Sequence, residues 1–194
     1  MRKILINNLS KSYRSIKVFT NINEELFSDY IYFLTSENGS GKTTFFKCLL
    51  KETSYKGDII DNEMVYTYLP DRVIIPKYVR LKDFVKMYLD IDFKTFYGPI
   101  IDDYLMLFDI LKYKNKYMHE LSKGTRQKVL IIKTLLSKAD VYLFDEPLSG
   151  LDLKSRYTFM ALVKTLQEQG KIVIIASHYY DEYKFSNKKV IEFS

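Results

Sequence analysis

The sequence predicts an α/β fold: a parallel-sheet core, a small antiparallel β layer ahead of it, and an inserted helical subdomain. Three observations predict it. The apolar run Ile31-Tyr32-Phe33-Leu34 passes through a glycine-rich turn into a helical run, Phe45 to Leu50. Val141 to Phe144 and Lys171 to Ala176 read as buried strands on either side of a helix from about Leu153 to Gln169, which is a β-α-β pattern. Between these parts, from about Tyr78 to His119, apolar residues recur at helical spacing instead. Residues 1–194 therefore read as one domain, with 1–70 and 123–194 forming the α/β core and about 71–122 the helical subdomain.

In chain order, residues 3 to 35 read as short strands: Ile4-Leu5-Ile6, Val18-Phe19, Glu24 to Phe27, and the strand ending at Leu34. Ser10-Lys11-Ser12 and Ser28-Asp29 are taken as turns between them. Tyr13 follows the first of these turns. Local sequence leaves two roles open for it, an aromatic platform for a base or a half-buried strand tyrosine.

The turn after Leu34 reads Thr35-Ser36-Glu37-Asn38-Gly39-Ser40-Gly41-Lys42-Thr43-Thr44, and it matches the phosphate-binding pattern G-x-x-x-x-G-K-[ST] except that Ser36 replaces the first glycine. Glycines at 39 and 41 let successive backbone N–H groups turn inward, and the following helix adds the positive end of its dipole. Lys42 is expected to reach the β- and γ-phosphates of a nucleoside triphosphate, and the Thr43 hydroxyl to coordinate Mg²⁺. The fold class is thereby narrowed to a P-loop NTPase, and the family resemblance carried by the motifs further along implies its RecA-like type.

Beyond that helix, Asp58 to Ile60 and Val65 to Leu69 read as strands, the second closed by Pro70-Asp71. The helical stretch carries Leu81, Phe84, Val85 and Tyr88, then Ile101, Tyr104, Leu105, Phe108 and Leu111, with Gly98-Pro99 between the two runs. Glu120-Leu121-Ser122-Lys123-Gly124-Thr125-Arg126-Gln127-Lys128 opens another helix with Val129, Ile132, Leu135 and Leu136 on its apolar face. Ser122 stands at an N-cap position and Gly124 permits close backbone approach, so this end suits a phosphate or is simply capped. The strand Val141 to Phe144 ends in Asp145 and Glu146, two acids whose burial is costly without a task. One can hold Mg²⁺ while its neighbour orients a water for attack on the γ-phosphate. His178, just past a strand end, stands where ligands bind in parallel α/β sheets.

Composition excludes several classes. A chain of 194 residues with 47% hydrophobic and 28% charged residues has a good-sized core and is not disordered. The best apolar run, Val129 to Leu136, is interrupted by Lys133 and far short of the roughly 18 to 20 residues of a spanning helix. Met1-Arg2-Lys3 leads into strand-like sequence and not into an apolar signal region, so a cytoplasmic location is expected. The single cysteine, Cys48, allows no intrachain disulfide and falls on the apolar side of its helix. The net charge of +6 is spread along the chain without a basic block, and nucleic acid is not expected as a partner.

Five elements in this order are specific together: the phosphate loop, Leu121 to Gln127, the strand ending in Asp145-Glu146, Ser149-Gly150-Leu151-Asp152, and Ser177-His178. With them the chain resembles the nucleotide-binding domain of ATP-binding cassette proteins from Leu5 to about Val190. The resemblance makes residues 36–44 the Walker A loop, with Asn38, Gly39, Ser40, Gly41, Lys42, Thr43 and Thr44 at the nucleotide. It makes 121–125 the signature, 141–146 Walker B, 149–152 the D-loop and His178 the switch histidine, and it decides for Tyr13 as the ring that stacks on adenine. It further implies that two cassettes pair head to tail, Ser122 and Gly124 of one gripping the ATP held by the Walker A loop of the other. Glu146 would then polarise the attacking water, His178 contact the γ-phosphate, and Asp145 help hold Mg²⁺.

Three positions depart from the family pattern. Where the family carries a glutamine that contacts Mg²⁺, the sequence reads Tyr68-Leu69-Pro70-Asp71; no glutamine precedes Gln127, and the Asp71 carboxylate is the candidate replacement. Ser36 is the second departure. The third is the stop at Lys188-Lys189-Val190-Ile191-Glu192-Phe193-Ser194, without the extra C-terminal segment of many members. The expected function is the ATP-hydrolysing subunit of a transporter whose membrane-spanning permease subunits are separate chains, the cassette lying on the inner face of the cell membrane through them. The compact signature and short helical region look like those of exporters of drugs, peptides or small molecules. The competing readings are a soluble cassette ATPase acting on ribosome or nucleic acid, and a nucleotide-dependent regulatory module with weak turnover.

Overall fold

The computed structural model describes residues 2–35, 39–72, 74–87, 97–178 and 180–192; Ser36, Asn38 and Tyr88 lie outside them. The chain divides into two compact units. The first comprises Met1–Pro70, Ala139–Glu146 and Val163–Ser194, the second Asp71–Lys138 and Pro147–Leu162.

The first unit contains β1 (Lys3–Tyr13), β2 (Ile16–Phe27), β3 (Ile31–Thr35), α1 (Lys42–Leu49), β4 (Lys56–Ile60), β5 (Tyr66–Leu69), β6 (Val141–Asp145), β7 (Ile172–Ala176) and β8 (Lys188–Glu192). Two sheets result. An antiparallel one runs β2-β1-β4, and a parallel one runs β5-β6-β7-β3-β8. The strands β6 and β7 are buried along their whole length, as expected where both faces of a parallel sheet are covered. One apolar cluster joins Ile4, Ile6 and Leu9 of β1, Phe19 and Leu26 of β2, Phe45, Phe46, Cys48 and Leu49 of α1, and Val141, Leu143, Ile172, Ile174 and Ile191 of the parallel sheet. Burial pushes the Cys48 thiol up to about 11, so it packs as an apolar side chain.

Register places the site. Leu34 of β3 pairs with Ala176 of β7, and Asp145 of β6 pairs with the same Ala176. The carboxyl ends of three neighbouring strands are therefore level, which is where ligands bind in such sheets.

The expected turn and short strands of the N-terminal region are corrected, and one further strand is found. Ser10-Lys11-Ser12, read as a turn, lies inside β1, and the chain reverses at Arg14-Ser15 instead. The polar residues stay in a strand because the hairpin satisfies them: the Asn21 N–H donates to Ser10 Oγ at 2.8 Å, and β-bulges between Leu9 and Ser12 adjust the register. The several short strands expected over residues 3–27 are accordingly two long ones. The segment Lys188–Glu192, to which no strand was assigned, is the edge strand β8 beside β3; its lysines suit an edge.

The second unit contains α2 (Leu81–Met87), α3 (Tyr97–Leu107), α4 (Lys123–Leu135) and the first part of α5 (Leu153–Glu168). Its interior gathers Leu81, Phe84 and Val85 of α2, Ile101 and Leu105 of α3, and Val129 and Ile132 of α4, the residues whose spacing predicts helix. Lys114 Nζ closes on Asp102 Oδ2 at 2.5 Å across the turn that follows α3.

Candidate functional site

The first unit gathers most of the candidate residues at the ends of β3, β6 and β7. Between β3 and α1 the backbone reaches φ +86° at Gly39 and +104° at Gly41, values that disfavour any side chain. A Cβ on Gly41 would lie 2.5 Å from Val18 Cγ1 and 3.1 Å from Phe19 Cδ1, so the loop passes against β2 only because residue 41 is glycine. Gly41 also heads α1, its carbonyl accepting from the Phe45 N–H at 2.8 Å. The loop thus delivers Lys42, Thr43 and Thr44 on the first turn of a helix, the end that favours anions. Lys42 is 8% exposed.

Thr43 Oγ1 donates to Asp145 Oδ2 at 2.7 Å. The Tyr68 hydroxyl on β5 donates to the same oxygen at 3.3 Å. A hydroxyl and a carboxylate held this close form a pair of hard oxygen donors, and that donor chemistry fits Mg²⁺. Sequence reasoning missed Tyr68. Its placement depends on β5 pairing with β6, Tyr68 opposite Leu143, and strand order is not written in local periodicity.

Glu146 follows β6 with φ +49°, a left-handed conformation that a non-glycine residue adopts at a cost of about 1 kcal/mol or more. Three contacts hold it. Its N–H donates to the Ala176 carbonyl at 2.9 Å, its Oε1 accepts from the His178 N–H at 3.1 Å, and His178 Nε2 lies 3.5 Å from the same oxygen. Burial raises the Glu146 carboxyl above the ordinary range, opposed by His178 and Lys42, while Asp145 adds to the rise. A carboxylate so placed is a stronger base than a solvated one and can accept a proton from water.

Tyr13 ends β1 and is 45% exposed. Asn38 lies outside the described residues.

Three candidates belong to the second unit. Ser122 caps α4: its Oγ accepts from the Thr125 N–H at 3.1 Å and lies 2.8 Å from Thr125 Oγ1. A Cβ on Gly124 would lie 2.6 Å from the Gly150 carbonyl, so this glycine is also required by the packing of residues 149–152 against α4. Asp71 is half exposed, its Oδ2 3.7 Å from Arg72 Nε. Nearby, Lys128 Nζ bonds Asp152 Oδ2 at 2.6 Å, and Asp152 Oδ1 accepts from the Ser155 N–H at 2.9 Å. Sequence reasoning did not find this pair.

Comparison with known proteins agrees with the geometry. The family model described as ABC transporter matches residues 19–149. An uncharacterised ABC transporter ATP-binding protein of Methanocaldococcus jannaschii is 32% identical over 181 residues, covering 91% of this chain and 68% of that one. The zinc import ATP-binding protein of Rickettsia bellii is 29% identical over 183 residues, covering 92% and 78%. Among solved structures, an ABC transporter ATP-binding protein of Pyrococcus furiosus superposes with a TM-score of 0.79 at 26% identity, covering 97% of this chain and 96% of that one. The parallel sheet with its phosphate loop is thus a P-loop ATPase fold, and the activity is ATP hydrolysis with ATP and Mg²⁺ bound. The chain belongs to the ABC transporter family, as one of its ATP-binding subunits.

Proposed function

We propose that this chain powers transport through membrane-spanning subunits carried on separate chains, by binding ATP between two cassettes arranged head to tail. The observation that carries the reading is the Thr43–Asp145 contact at 2.7 Å, which joins the phosphate loop to the end of β6 beside Glu146. Lys42 and the amides of Gly39, Ser40, Gly41 and Thr44, together with Asn38, hold the phosphates; Tyr13 takes the adenine ring. Thr43 and Asp145 hold Mg²⁺, with Asp71 as a further carboxylate for it. Mg²⁺, when bound, neutralises phosphate charge. Glu146 takes the proton of the attacking water, and His178, 3.5 Å from it, contacts the γ-phosphate. Ser122 and Gly124 come to that phosphate from the opposite cassette.

No helix among the described residues is long and apolar enough to cross a membrane. In this reading the cassette docks on the cytoplasmic side of a permease carried on other chains. The compact signature supports export of a drug, peptide or small molecule; the Rickettsia relative, named for zinc import, supports the opposite direction. Uptake and efflux assays on vesicles holding the recovered permease decide between them.

The test is affinity purification of tagged Glu146→Gln from detergent-solubilised host cells with Mg-ATP, followed by mass spectrometry. Near-stoichiometric recovery of a polytopic membrane protein is expected. Recovery of ribosomes or nucleic acid without a membrane protein would replace this reading with the soluble cassette ATPase.

A further inference from the structure

Lys11 is a charged residue in the interior. It is 4% exposed, and its ammonium bonds neutral groups, Thr53 Oγ1 at 2.8 Å and the Ser54 carbonyl at 2.5 Å. Among the described residues no carboxylate lies within ion-pair distance of it. Burying an ammonium without a counter-ion is costly, so its placement calls for a reason. The third side of the ammonium faces a ring: Lys11 Nζ lies 4.4 Å from the centroid of Tyr13.

We infer that Lys11 is a positioning residue for the base of the nucleotide, fixing the Tyr13 ring from one face so that the other is presented to adenine. The inference rests on the reading of Tyr13 as the adenine platform. Two physical effects act together. The ammonium is tethered to Thr53 and Ser54, at the entry to β4, and so restrains a ring that would otherwise rotate freely at the mouth of a hairpin. A cation on one face of a π system also draws electron density toward itself, and the opposite face then stacks better on an electron-rich purine. Loss of the cation should therefore weaken binding of the base and leave binding of the phosphates unchanged.

The experiment measures displacement of a ribose-labelled fluorescent ATP analogue by Mg-ATP and by inorganic tripolyphosphate, on the full chain and its variants. Lys11→Met is expected to weaken ATP about three- to tenfold, the range of a partly desolvated cation–π contact, while tripolyphosphate is unaffected. Lys11→Arg, which keeps a cation over the ring, is expected to retain most of the affinity. Adding Lys11→Met to Tyr13→Leu should cost nothing further, since the brace has no ring to hold. If Tyr13→Leu weakens ATP and Lys11→Met does not, the brace is overturned and the platform stands. If Tyr13→Leu leaves ATP affinity unchanged, the platform reading fails and the brace with it. Equal weakening of ATP and tripolyphosphate by Lys11→Met would overturn the inference too, by marking Lys11 as a support of the hairpin.

Discussion

Glu146 occupies a left-handed backbone position and is tied by its own N–H to Ala176 and by its carboxylate to the His178 N–H, so its side chain is aimed by the ends of two strands. Glu146→Gln keeps the shape and the acceptor for the His178 N–H but removes the carboxylate proposed as the base. ATP affinity should persist within about twofold while turnover falls by about a hundredfold or more, read by nucleotide titration beside steady-state phosphate release. The pH profile follows from burial. A base works only when ionised, and the Glu146 carboxyl is raised above its ordinary value of 4.5, so the acid limb of kcat should lie above that value and disappear in Glu146→Gln. Lys42→Ala is expected to abolish ATP binding in the same titration. Gly41→Ala tests the loop separately: at φ +104°, with a Cβ 2.5 Å from Val18, it should destabilise the chain by roughly 1–3 kcal/mol in urea denaturation and weaken ATP.

At the scale of elements, α5 depends on its first turn. Asp152 accepts from the Ser155 N–H and hydroxyl, both at 2.9 Å, and the Lys128 ammonium of α4 bonds its other oxygen. That contact from Lys128, more than the Ser155 cap, pushes the Asp152 carboxyl down to about 2. A carboxyl depressed on folding stabilises above its ordinary value of 3.8 and loses that contribution as pH falls toward 2. Asp152→Ala should therefore cost about 1 kcal/mol at neutral pH and flatten the decline of stability over that acid window, both read by denaturation across pH. How much of this was legible varies by element. The helices α2, α3 and α4 announced themselves because Leu81, Phe84, Val85, Ile101, Leu105, Val129 and Ile132 recur at helical spacing, and the phosphate loop because glycine and lysine stand at fixed offsets. Asp145 and Glu146 were legible as acids at the end of an apolar strand. Neither Tyr68 on Asp145 nor Lys128 on Asp152 could be read, since each contact joins segments brought together by strand order or helix packing over 77 and 24 positions of chain. Ser10-Lys11-Ser12 misled for a related reason: in a hairpin, cross-strand bonds and bulges keep a polar stretch extended, whereas local composition reads it as a turn.

For the whole molecule, the proposed head-to-tail pairing would bring Ser122 and Gly124 of one chain to a triphosphate held at Lys42 of the other. Ser122 already spends its hydroxyl on the Thr125 N–H, and Gly124 is already pressed against Gly150, so neither residue needs a phosphate to explain it. A head-to-tail dimer gives them a second use, because a capped helix N-terminus remains an attractive surface for an anion arriving from outside the chain. Complementation separates this from action within one chain. Ser122→Asp keeps a good N-cap and should fold, but sets a negative charge against an incoming phosphate. Lys42→Ala keeps the signature and loses the phosphate site. Each variant alone should be inactive. Mixed in equal amounts, they form dimers in which the loop of the Ser122→Asp chain faces the unaltered Ser122 of the Lys42→Ala chain, and random pairing should restore about a quarter of the wild-type sites. Phosphate release from the mixture reads the recovery. Activity that stays at the level of the separate variants, while size-exclusion chromatography with Mg-ATP shows the mixed dimer formed, would exclude a site shared between two copies of this chain.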